Sequence, residues 1–171
     1  MNPFEIFGLA PAFRVDAAAL DARFRELSKV VHPDRHARGG PAERRAALSR
    51  AIDVNAAYRV LRDPVKRGEA LLALHGRAPE DGGKASPALL LEMMELREAL
   101  AEARARADLE RVQAQRDAIS SRRDAVLERV GSALDTGDVE AAIVALGEAR
   151  YLGRYLDEVR LTEEDLGDRA S

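Results

Sequence analysis

Apolar residues recur along this chain at helical spacing, and the interruptions between the recurrent stretches mark where helices start and stop. Asn2, Pro3 and Glu5 read as an N-cap, a first-turn proline and the acid of a capping box. With Gly8 as a stop, they predict a short helix over residues 3–7. Asp16 caps a second helix whose stripe Leu20, Phe24, Leu27, Val31 steps by four, three and four residues and ends before Pro33. The polar loop "PDRHARGG" gives way at Pro41 to a third helix running to about Leu61, with Leu48, Ala51, Ile52, Asn55, Tyr58 and Leu61 as its expected buried side. Asp63 and Pro64 open a fourth helix through Leu71, Leu72 and Leu74, stopped by Gly76.

"GRAPEDGGKASP" has no apolar period and concentrates Gly, Pro and charge, so a domain boundary is expected there, with units over residues 1–76 and 88–165 and a linker over 77–87. Neither Gly nor Pro occurs between Ala88 and Val130. A single helix of that length would reach about 60 Å, so a turn is placed near Arg104–Asp108, where Asp108 can cap. The next helix carries Leu109, Val112, Ile119, Val126 and Val130, and "DTGD" separates it from a last helix over Val139 to about Arg160. An antiparallel three-helix bundle follows. On its first helix Leu89, Met93, Leu96 and Leu100 supply the core stripe, which leaves Leu90, Leu91 and Met94 beside it, with Glu95, Glu98 and Glu102 continuing that side. An apolar patch edged by carboxylates suits a protein partner with a basic rim; a broad core face with an ordinary solvated charge row is the alternative.

Composition agrees with an all-α chain. Aromatics are 4% of the 171 residues and there is no Trp, which disfavours sheet cores. The absence of Cys removes disulfides, thiolate metal sites and cysteine nucleophiles, and fits a reducing compartment, with the cytoplasm as the default. The N-terminus lacks the basic start and long apolar core of a signal peptide, and no apolar run reaches membrane-spanning length. A net charge of −3 with interspersed acids argues against general nucleic-acid binding. His32 and His36 have ligand-like spacing, but Pro33 interrupts a helix between them and His75 is the one other histidine, so no metal site is expected. Ser28 and Ser49 have no assembled base and no phosphate loop is present, so neither catalysis nor a cofactor is expected.

The stretch "SKVVHPDRHARGG" is where chemistry concentrates. Arg25 and Lys29 lie one turn apart on the solvent side of the second helix, and the line continues to His32. Pro33 stiffens the loop, so His32 and Asp34 offer a donor, an acceptor and a carboxylate at small ordering cost; Pro33 as a mere helix terminator is the bland alternative. A short helix, a basic amphipathic helix, "HPD" in the connecting loop and a third helix ending "NAAYRVLRDPVKR" together resemble a J-domain. Further, "NPFEIFGL", "FRELSKVVHPDR", "VNAAYRVLRDPVKRGEALLALHG" and "MELREAL" resemble the HscB-type co-chaperones of iron–sulfur cluster assembly over nearly the whole chain. The resemblance implies an N-terminal J-domain, a helical hairpin with short flanking helices, in which His32, Pro33, Asp34, Arg25, Lys29 and Arg35 engage and stimulate a DnaK-class, HscA-like ATPase chaperone. It also implies that Leu90, Leu91, Met94, Glu95, Glu98, Glu102 and Tyr151 contact an IscU-type scaffold protein; from the bundle pattern, Tyr151 is expected to pack near the exposed patch from an antiparallel third helix. Ala99 and Ala101 stand where the family often has acids, and Tyr151 where it has Phe. A generic J-domain protein, or a helical adaptor with a different client, is the alternative.

Overall fold

A computed structural model describes residues 2–31, 40–78 and 85–169, and divides the chain into two compact units, Met1–Arg77 and Ala78–Ser171. Among the described residues every regular element is helical.

Unit 1 opens with α1 (Pro3–Phe7), whose capping box is complete. Asn2 Oδ1 accepts the Glu5 N–H at 2.9 Å and Glu5 Oε2 accepts the Asn2 N–H at 3.1 Å. Gly8 ends the helix at φ +66°, a conformation costly for a residue with a Cβ. In α2 (Ala17–Val31), Asp16 accepts from the Ala18 and Ala19 N–H groups, Leu20 is buried, and Phe24, Leu27 and Val31 are half-buried. α3 (Pro41–Arg62) packs on α1 and α2, and Asp63 caps α4 (Pro64–Leu74) through the Val65 and Lys66 N–H groups. Tyr58 organises the interior. Its ring stacks on Phe24 at 4.1 Å and lies 6.5 Å from Phe7, while its hydroxyl donates to Asp21 at 2.8 Å. Arg67 lays its guanidinium over Phe13 and donates to the Leu61 carbonyl, and burial lowers its pKa.

The buried side of α3 differs from expectation. Ala47, Val54, Ala57 and Leu61 face inward, Ala51 and Tyr58 flank them, and Leu48 and Ile52 stand 53% and 60% exposed with Asn55 also outside. The stripe is rotated by one residue because small alanines let neighbouring helices approach closely, which the larger Leu and Ile would prevent. Leu74 also turns out of the core, lining a groove with Ile6 and Val60 while Leu71 and Leu72 are buried.

Unit 2 comprises α5 (Pro87–Ala105), α6 (Leu109–Asp135) and α7 (Val139–Arg169). Ser86 caps α5 by accepting the Leu89 N–H, Asp108 caps α6 by accepting the Arg111 N–H, and Asp138 opens α7 by accepting the Ala141 N–H. The tight α5–α6 turn sets Ala107 at φ +53°. Met93, Leu100 and Ala103 of α5 close over a hairpin of α6 and α7 whose core includes Val112, Ile119, Val126, Val130, Leu146, Leu152, Tyr155 and Val159. Leu109 is 37% exposed and lies outside that core.

α7 runs nine residues past the expected end at Arg160. Thr162 and Leu166 continue the buried row of Tyr155 and Val159, and the Thr162 hydroxyl donates to the Glu158 carbonyl at 3.0 Å, so a polar-looking segment still has an inward face. Within unit 2 consecutive helices are antiparallel, which makes α7 parallel to α5. Arg97–Glu158 and Arg104–Asp165 both join residues 61 apart, so the two helices advance together.

Candidate functional site: two partner-binding faces

The first face lies on α2. Leu20 and Phe24 turn one side of the helix onto α3, which sends Arg25 and Lys29, one turn apart, to the exposed side. Arg23, on a neighbouring line, is drawn back toward α1, its Nε donating to the Phe7 carbonyl at 3.4 Å and its Nη1 pairing with Glu26 at 3.2 Å. Arg25 and Lys29 are thus the cations that α2 presents toward its C-terminal end, where a positive charge complements the helix dipole. His32, Pro33, Asp34 and Arg35 lie outside the described residues.

The second face is on α5. Met93 is 1% exposed, whereas its neighbours Leu91 and Met94 are each 59% exposed and Leu90 is 44% exposed. Three large apolar side chains within little more than one turn of a helix are therefore left in water while the helix still buries its own stripe. Leu89 and Leu96, expected in the core stripe, are half-buried at its edges. Glu95, Glu98 and Glu102 are exposed and border the patch, Glu102 lying 3.6 Å from Arg111.

The α5–α7 seam explains where Tyr151 stands. Farther along the seam it is closed by ion pairs: Arg97 grips Glu158 through two hydrogen bonds of 2.8 and 2.6 Å, and Arg104 pairs with Asp165 at 2.9 Å. The same register sets Tyr151 level with Leu90, at the end of the seam where α5 carries Leu90 and Met94 instead of arginine. Tyr151 is half-buried, with the Arg154 guanidinium 4.5 Å from its ring centroid. It approaches from a helix parallel to α5, not from an antiparallel one. Tyr155, one turn on, is the buried aromatic: its hydroxyl donates to the Leu96 carbonyl at 3.0 Å and lies 3.1 Å from the Gln115 amide. Burial pushes its pKa up to about 12, with the Glu158 charge acting in the same direction.

Sequence reasoning did not find the charges that fasten α5. Arg122 of α6 donates to Glu92 and, at 2.9 Å, to Glu148 of α7, and Arg129 donates to the second Glu148 oxygen at 2.6 Å. Burial pushes the Glu148 carboxyl upward, but the hydrogen bonds from Arg122 and Arg129 outweigh it and hold the pKa below the ordinary range. Arg97 does the same for Glu158. The available signal was Glu92 and Arg97 themselves, two opposite charges that fall on either flank of the Met93 row rather than on the exposed side with Glu95.

Known proteins resemble this chain both in its second unit and over nearly its whole length. Residues 85–160 match the family described as the HSCB C-terminal oligomerisation domain. A co-chaperone protein HscB homolog of Burkholderia multivorans is 39% identical over 158 residues, covering 91% of this chain and 90% of that protein. Among solved structures, chaperone HscB from Vibrio cholerae superposes with a TM-score of 0.88 at 32% identity, over 97% of this chain and 99% of that one. Human co-chaperone protein HscB superposes with a TM-score of 0.86 at 28% identity, over 95% of this chain and 82% of the human one.

Proposed function

The chain belongs to the HscB family of J-domain co-chaperones of iron–sulfur cluster assembly, and from that premise we propose how its two faces divide the work. Residues 1–76 form the J-domain that stimulates the ATPase of an HscA-like or DnaK chaperone in the cytoplasm. In it Arg25 and Lys29 guide the chaperone on, and His32, Pro33, Asp34 and Arg35 act as the trigger. Residues 88–165 carry the IscU-type scaffold protein on Leu90, Leu91, Met94 and Tyr151, with Glu95, Glu98 and Glu102 meeting basic groups at the rim.

The observation that carries this reading is the contrast within α5. Leu91 and Met94 stand in water next to a fully buried Met93, so they are spare to folding and available to a partner. Pairing with a second copy suits the face less well, because Glu95, Glu98 and Glu102 form its rim and a two-fold contact would bring like charges together.

Stimulated ATP hydrolysis, measured with and without scaffold, tests both halves. His32→Gln should abolish stimulation while leaving the helical circular dichroism and melting temperature nearly unchanged. Leu91→Ser with Met94→Ser should keep the stimulation given by the J-domain alone. The added stimulation seen with scaffold should disappear, with about 2 kcal/mol or more of scaffold binding lost. Retained stimulation in a folded His32→Gln protein would sink the trigger assignment; unchanged scaffold affinity in the serine pair would move the scaffold site elsewhere.

A further inference from the structure

A recognition face on one helix is only as well defined as the seating of that helix, and α5 is seated differently from its neighbours. α6 and α7 pack closely against each other, whereas α5 meets them over a thinner interface and buries only Met93, Leu100 and Ala103 fully. The buried side chain nearest the patch is thus a methionine, whose unbranched, flexible thioether fills space well but resists rotation of the helix poorly. Charged contacts supply what the packing lacks. On one flank of the Met93 row Glu92 is held by Arg122, and on the other Arg97 is held bidentately by Glu158. At 100° per residue these two anchors lie about 140° apart around the helix with Met93 between them, so they oppose rotation in both senses.

Arg122 is the more telling of the two because it belongs to α6. Its guanidinium joins α5 through Glu92 and α7 through Glu148, and Arg129 fixes the far oxygen of Glu148, so one planar group ties all three helices at the level of the patch. Glu92 sits directly between Leu91 and Met93, on the α6 flank, away from the α5–α7 seam that Leu90 and Tyr151 share. We propose that Arg122 is a positioning residue for partner recognition: through Glu92 it sets the rotation of the N-terminal half of α5 and hence the direction in which Leu90, Leu91 and Met94 project. The link to binding rests on the scaffold-binding reading of that face; the link to helix seating does not.

The experiment uses the full chain and two variants, Arg122→Met, which keeps the stem and removes the charge, and Glu92→Ala, which frees α5 while leaving Glu148 paired with Arg129. Without any partner, amide hydrogen exchange over residues 88–94 should become about tenfold faster in both variants, while amides of the α6–α7 hairpin around Val126 and Leu146 keep their protection. Titrated with an IscU-type scaffold protein, Arg122→Met should bind about tenfold more weakly, since part of the binding energy goes into ordering a looser face. In a Leu91→Ser background it should add no further weakening, because it acts through the face already removed. Unchanged exchange at 88–94 in both variants overturns the proposal, and so does equal acceleration along all three helices, which would mark Arg122 as a general stabiliser. Should Leu91→Ser alone leave scaffold affinity unaltered, the scaffold-binding reading fails, and the exchange data still decide whether the clamp seats α5.

Discussion

α2 and α5 are both helices that bury one stripe and present another, yet they differ in how they are fastened and in what they display. α2 is held chiefly by an aromatic stack, Phe24 on Tyr58, with Asp21 accepting the Tyr58 hydroxyl and pairing with Arg62 at 3.3 Å, and what it turns outward toward its C-terminal end is Arg25 and Lys29. α5 is held by a thin apolar row and by arginine–carboxylate clamps, and what it turns outward is Leu90, Leu91 and Met94 with an acidic border. A helix seated by stacked rings can turn its charges outward without weakening its own seat. A helix that displays its spare aliphatic side chains has fewer left for packing, and ion pairs complete its attachment. The two faces should also differ kinetically, since exposed charge acts mainly on encounter and buried apolar anchors on the lifetime of a complex.

The sharpest break between inward and outward chemistry lies inside α5 itself. Met93→Ala should cost unit 2 about 3 kcal/mol of folding stability, because it leaves a cavity at a fully buried site. Met94→Ala, one residue on, should change stability by no more than about 0.5 kcal/mol. Urea melts of the two variants measure this, and similar midpoints would mean that α5 has no fixed face. On the unit 1 side, Tyr58→Phe keeps both ring contacts and removes the hydroxyl bond to Asp21, for an expected loss of about 1 kcal/mol; a loss several times larger would show that charge and not stacking seats α2.

Smaller effects separate the two faces by salt and by pH. Reversing Arg25 and Lys29 to Glu should slow association with the chaperone severalfold at low salt and progressively less as salt screens it, with scaffold affinity unchanged. Stopped-flow rates that ignore both charge and salt would reduce the pair to an ordinary solvated helix face. In unit 2 the Glu148 and Glu158 pKa values are lowered on folding, so their contribution to stability is complete above the ordinary carboxylate range and declines as pH falls through the lowered folded values. Thermal melts should therefore show unit 2 losing stability below about pH 4, and Arg97→Met should flatten that decline. An acid profile identical in wild type and variant would leave Glu158 without an energetic role.

Much of this was legible before any coordinates. The helix starts at Asn2, Asp16, Asp63 and Asp108 follow from capping residues that act on N–H groups two or three positions away, which is chemistry a linear sequence displays. The division of α5 into a buried Met93 row and an exposed Leu91–Met94 side was equally readable, because helical periodicity sorts residues without reference to any other helix. The inward side of α3 was misjudged for the complementary reason. Leu48 and Ile52 are more hydrophobic than Ala47 and Ala57, and only the closeness of α1, α2 and α4 decides that small residues face in.

What the amino-acid order determined by itself is therefore everything settled within one turn or one helix: where helices begin, the αL stop at Gly8, the stripe on α5 and the basic line on α2. What only the tertiary structure decided is everything that depends on which helices meet and at what level. The continuation of α7 to Arg169, the alignment of Tyr151 with Leu90 and the clamp of Arg122 on Glu92 and Glu148 belong to that class. Hydrogen-bonded caps and helical period are short-range and repeat every few residues. A guanidinium reaching two carboxylates that are 30 and 26 positions away in the chain is set by packing between helices, and no local pattern encodes it.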